Sequence, residues 1–182
     1  MDPAWVEPSE SVNKTQHSYS VGMTTSPPAL AYSTENCTVG RTMAILGERW
    51  TFVVLREVCN GVRRFDDIRR HSGIPRQVLS NRLALLVEHD ILHRAPYRAE
   101  GERERHEYRL TPKGFDLYPV LVAIAGWGDR YLADPEGPPV EFAHRDCGAA
   151  MRVETVCADG HRVTEPRDLV PRPGPGARPT AT

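Results

Sequence analysis

Apolar residues recur at helical spacing in a series of short segments between residues 38 and 90, and each segment ends on a glycine or a polar turn. The first, "TVGRTMAILG", sets Val39, Met43 and Leu46 three or four residues apart and stops at Gly47, which predicts a short helix with a C-terminal glycine. "RWTFVVLREVCNG" follows as a more apolar helix ending near Asn60 and Gly61. Phe65 to His71 makes a short amphipathic helix with Ile68 inward, closed by Ser72 and Gly73. Ile74 and Pro75 then open the stretch "GIPRQVLSNRLALLVEHDILHR", where proline is tolerated because the first helical N–H has no internal partner. On this helix Leu79, Leu83 and Leu86 share one narrow stripe, while Gln77, Ser80, Asn81, Ala84 and Glu88 fall opposite.

The period then changes from helical to alternating. "ILHRAPYRA" alternates, "EGERERH" is a polar, charge-rich interruption, and "EYRL" resumes the alternation, which predicts a β-hairpin with a charged tip. From "TPKGFDLYPVLVAIAGWGDRYL" the pattern is helical again, with Thr111 as N-cap before Pro112. This last helix is apolar on more than one side, more than one domain face requires. The outer segments carry no sustained period. Residues 1–35 read as a disordered arm, 36–134 as the main domain with its last helix, 135–170 as a hairpin extension, and 171–182 as a disordered Pro/Gly tail.

Helix, short helix, tight turn, helix and charged hairpin is the order of a winged helix-turn-helix, so the fold class is α+β and mostly helical. In that arrangement the second helix of the motif enters the DNA major groove, where Arg, Gln, Asn and Ser side chains hydrogen-bond base edges, and the wing reaches backbone phosphates. Gln77, Ser80 and Asn81 are therefore candidates for base or phosphate contact, against the plainer reading of a solvated surface. Arg76 and Arg82 flank that face as phosphate contacts, with Arg64 beside it and Arg103 and Arg105 at the wing tip. The acids Glu100, Glu102 and Glu104 alternate with the wing arginines, which predicts weak, salt-sensitive contacts there.

Composition changes this picture little. The chain has 182 residues, 40% hydrophobic and 26% charged, with a net charge of −1, as expected for a single well-cored domain with extensions. Divided along the chain the charge is uneven: from residue 61 to 98 eight arginines face four acids, a basic region centred on the proposed DNA-facing helix. No apolar run is long enough to span a bilayer and the N-terminus lacks a basic start followed by an apolar segment, so no membrane partner and a cytoplasmic location are expected. No Gly-rich phosphate loop, nucleophile elbow or paired-carboxylate spacing stands out, which argues against an enzyme.

Two further constellations carry chemistry. Cys37 stands one residue before a helix start, where unpaired N–H groups favour a thiolate; the alternative is an inert thiol. Cys59, inside an apolar helix, reads as a small core residue. His144, Cys147, Cys157 and His161 form two close pairs separated by a short alternating run, the way a zinc ribbon brings ligands together. The competing reading is a metal-free hairpin packed on the last helix, and no cofactor is otherwise required.

At this point the sequence resembles the HxlR-type transcriptional regulators, relatives of the MarR group. The resemblance runs from about Cys37 to Leu132 through "GERWT", "GVRRF", "GIPRQVLSNRLALL", "YRLTPKG" and "WGDRY". It implies a homodimer acting on a pseudo-palindromic operator in double-stranded DNA, with room for a small-molecule effector, and in several family members the cysteine corresponding to Cys37 senses oxidants or electrophiles. A dimer would also bury the excess apolar surface, for which Val39, Met43, Val120, Leu121, Ile124 and Trp127 are the expected interface. The runner-up function is a winged helix used for protein contact, with a zinc-binding C-terminal hairpin as its docking surface.

Overall fold

The computed structural model describes residues 32–98 and 104–180. Its element order is α1 (Thr38–Leu46), α2 (Arg49–Cys59), α3 (Phe65–Ser72), α4 (Arg76–Glu88), β1 (Leu92–Tyr97), β2 (Arg105–Leu110), α5 (Pro112–Phe115) and α6 (Tyr118–Tyr131). Among the described residues no helix is long and apolar enough to cross a membrane.

Helix α2 is the hub, touching α1, α3, α4, α6 and β2. Its Val54, Leu55 and Val58 pack with Ile68 of α3, Leu79, Leu83 and Leu86 of α4, and Ile91 and Leu92 at the start of the hairpin to form the core. The leucine stripe of α4 is thus buried as its spacing predicts, each member no more than 1% exposed. Between α3 and α4 the chain turns on Gly73, whose φ of +70° lies in the left-handed region that glycine enters without penalty. Ser72 Oγ donates to Ile68 O at 2.6 Å and accepts from Ile74 N–H at 3.3 Å, tying the turn from both sides.

β1 and β2 pair antiparallel, with Leu92 opposite Leu110 and Tyr97 opposite Arg105. Arg64 adds an isolated antiparallel bridge to Glu107, and Tyr108 N–H donates to Arg63 O at 2.8 Å. The wing is therefore fastened to the segment that opens α3.

Three expectations are corrected. The single long helix predicted from Pro112 onward is broken at Asp116 and Leu117 into α5 and α6, because Pro119 has no N–H to give to Phe115 O and its ring crowds that carbonyl. The single hairpin expected over 135–170 is instead two tight turns, each with an isolated bridge, Ala143 to Ala150 and Val156 to Arg162. The tail is not free either: Ser33 N–H donates to Arg178 O at 2.8 Å and Asn36 Nδ2 to Gly176 O at 2.7 Å. Residues 1–31 of the predicted arm lie outside the described residues.

Candidate nucleic-acid interface

Burying Leu79, Leu83 and Leu86 fixes the rotation of α4, and Arg76, Gln77, Ser80, Asn81 and Ala84 are exposed as a consequence. Gln77 Nε2 donates to Asn81 Oδ1 at 2.9 Å, so these two amides, one helical turn apart, are held in a common orientation while keeping donor and acceptor capacity to spare. Arg82 is half-buried at the flank of the row.

Two of the basic side chains beside α4 lie over aromatic rings. The Arg64 guanidinium lies 4.2 Å from the centre of the Tyr97 ring in β1, and that of Arg76 lies 5.3 Å from the centre of Phe65 at the start of α3. Stacking of this kind orients the planar guanidinium without neutralising it. Arg64, Arg76 and Arg105 line one open cleft together with Phe65, Tyr97 and His106, at the junction of α3, α4 and the wing. Two acids, Asp66 and Asp67, share the cleft, and Arg70 bonds Asp67 Oδ1 at 2.5 Å. Arg103 lies outside the described residues.

Sequence reasoning missed several members of this region. Arg70 lines the cleft, and the paired arginines at 63–64 and 69–70 were the signal that could have marked it. Tyr97 of β1 and His106 of β2, both lining the cleft, had no signal beyond strand alternation. Glu57 was also missed: it is fully buried in α2, where Oε2 lies 2.6 Å from His71 Nδ1 of α3 and the other carboxylate oxygen meets Arg56. A buried carboxylate demands such partners, and the pair ties the two helices beneath the turn.

The apolar residues expected at an interface divide into two sets. Val39 and Met43 of α1 and Val120, Ile124 and Trp127 of α6 are exposed, Trp127 by 59%. Leu121 is corrected: it is only 7% exposed and shares a cleft with Phe52 and Val53 of α2, because one residue of helix rotates it about 100° from Val120 toward the chain's own core.

Cys37 is exposed at the N-cap position of α1 and its side chain makes no capping bond. Cys59 is half-buried, and desolvation pushes its thiol above the ordinary 9.0. The four expected metal ligands are not brought to one point. Cys147 Sγ lies 3.4 Å from His144 Nδ1 and Cys157 Sγ 3.5 Å from His161 Nδ1, but the one cluster of three donors among the described residues is Cys157, Asp159 and His161.

Comparison with known proteins is consistent with this geometry. The sequence profile of the HxlR-like helix-turn-helix family matches residues 45–136. An uncharacterized HTH-type transcriptional regulator of Mycobacterium tuberculosis is 45% identical over 148 residues, 81% of this chain and 92% of that protein. Among solved structures, the candidate transcription factor PA1607 has a TM-score of 0.67 at 32% identity, covering 76% of this chain and 96% of that one. The candidate transcription factor PA1374 of Pseudomonas aeruginosa has a TM-score of 0.53 at 33% identity, covering 78% and 95%.

Proposed function

Because the chain belongs to the HxlR-like helix-turn-helix family of transcriptional regulators, and so is not an enzyme, we propose that it acts as a homodimer on a pseudo-palindromic DNA operator. The observation that carries the reading is the exposed row of Arg76, Gln77, Ser80 and Asn81 opposite the buried leucines of α4, next to the aromatic-backed arginines of the wing cleft. Amide and hydroxyl groups on that row match the donor and acceptor pattern of the major groove, and stacked guanidinium groups suit phosphates. A second copy joined along α1 and α6 sets the spacing of the two α4 helices, and hence of the half-sites. Cys37, exposed at the edge of α1, is the residue through which an oxidant or electrophile reaches that assembly.

The test is a gel-shift titration on the upstream region of the protein's own gene. Ser80→Ala combined with Asn81→Ala is expected to weaken binding by about 1–3 kcal/mol per lost base contact, with the circular dichroism spectrum unchanged because both side chains point away from the core. Unchanged affinity and sequence preference would move recognition off this face. Absence of wild-type binding to any DNA would favour a protein-contact role for the winged helix.

A further inference from the structure

We infer that the C-terminal extension binds one zinc ion through His144, Cys147, Cys157 and His161, the two turns closing on the metal as the two halves of a single structural site. The first support is distance. With Zn–S of about 2.3 Å, Zn–N of about 2.0–2.1 Å and tetrahedral angles, a sulfur and a nitrogen on one ion are separated by about 3.6 Å. The Cys147–His144 and Cys157–His161 separations are 3.4 and 3.5 Å, so each turn already presents one edge of that tetrahedron.

The backbone holds those edges. Gly148 and Gly160 have φ of +69° and +82°; Gly148 N–H donates to His144 O at 2.8 Å and Gly160 N–H to Cys157 O at 2.9 Å. Each turn is closed a second time, by His144 N–H to Ala149 O at 2.8 Å and by Cys157 N–H to His161 O at 2.9 Å. The sequence thus spends two left-handed glycines on orienting two thiol–imidazole pairs.

The second support is what the extension lacks. No described residue from 135 to 180 is buried, and Val140, Met151, Val153 and Val156 are each close to half exposed. A stretch this short without an apolar core is ordinarily held by cross-links or a metal. Phe142 anchors its start, packing edge-on against Tyr118 at 6.3 Å, and the first ligand follows two residues later. Residues 149–156, which join the turns, contain no helix and no buried side chain, so closing the two separate turns on one ion would disturb no core packing. Four protein ligands leave no open coordination position, which makes the site structural. Binding releases the thiol protons of Cys147 and Cys157 to solvent. The Asp159 carboxylate, within 4.8 Å of the Cys157 and His161 ligand atoms, remains outside the first coordination sphere.

The experiment titrates the full-length, reduced protein with Zn²⁺ and, as a spectroscopic probe, Co²⁺. One equivalent is expected per chain, with ligand-field bands of tetrahedral cobalt, a thiolate charge-transfer band, and protection of residues 144–161 from proteolysis. Loss of even an outer-shell partner lowers affinity about 10–100-fold, so Cys147→Ser and Cys157→Ser are each expected to lower it more than about 100-fold, while Cys37→Ser, Cys59→Ser and Asp159→Asn leave stoichiometry and spectrum unchanged. Failure to bind either ion at micromolar concentration overturns the inference. So does an unchanged cobalt spectrum in Cys147→Ser, which would confine the metal to the second turn. Circular dichroism of each variant distinguishes ligand loss from unfolding of the helical domain.

Discussion

Gly114 shows how a single missing carbon can fix the junction between the wing and the last helices. Its N–H donates to Thr111 Oγ1 at 3.0 Å, and the Thr111 hydroxyl donates to Asp90 O at 2.6 Å. Lys113 Nζ reaches His89 O at 2.8 Å, so the "TPKG" segment clamps the C-terminal end of α4. A Cβ at position 114 would stand 2.2 Å from Ile91 O and 3.0 Å from Leu110 Cδ2. The carbonyl is backbone within the clamp and cannot rotate aside. Gly114→Ala is therefore expected to destabilise the fold by about 1–3 kcal/mol through overpacking, read as a lower urea midpoint by tryptophan fluorescence; an unchanged midpoint would show that the clamp yields. The sequence made Thr111 legible as an N-cap, since a threonine before a proline is a local signal. Gly114's role was not legible, because it depends on a carbonyl more than twenty positions away in the chain. Glu57 was hidden for a related reason: nothing local to α2 says that His71 will lie against it.

Helix α4 and helix α6 differ in how much of their role is written in their own spacing. In α4 the buried stripe and the exposed polar row were both readable, because one face is apolar and the other is not. In α6 the apolar residues go most of the way round, so periodicity alone did not separate inward Leu121 and Val122 from outward Val120, Ile124, Trp127 and Tyr131. Contact with α2 makes the separation. The outward four recur at intervals of four, three and four, the seam of a helix that packs against another helix, and Trp127 and Tyr131 already touch as tilted rings with centres 5.4 Å apart. A charge in the middle of such a seam would be buried unpaired on association. Ile124→Glu is accordingly expected to give a monomer by light scattering, with the helical spectrum retained because Ile124 is 45% exposed in the single chain. A variant that remains dimeric would relocate the interface.

At the scale of the whole molecule, α1, the tail and the cysteines meet on one question of chemistry. Cys37 is exposed beside the apolar residues of α1, and its neighbour Asn36 holds Gly176 O at 2.7 Å, so an adduct on this thiol adds bulk where the proposed second subunit and the chain's own tail converge. Cys59 is a poor competitor: burial raises its thiol above the ordinary 9.0, which lowers its reactive thiolate fraction near pH 7. Cys59's contribution is fully present below its unfolded-state value and is lost as pH rises through its folded-state one, so reaction is best followed near neutrality. Cys147 and Cys157 are exposed but, with zinc bound, engaged as ligands. On zinc-loaded protein a quinone is thus expected to modify Cys37 first, as one adduct by intact mass, and to shift operator affinity by about 5–150-fold, the usual range of coupling between two sites. Cys37→Ser should bind the same operator with unaltered affinity and ignore the quinone. An equal response in the two proteins would place the sensor at another cysteine, and no response in either would leave Cys37 a surface thiol of the dimer region.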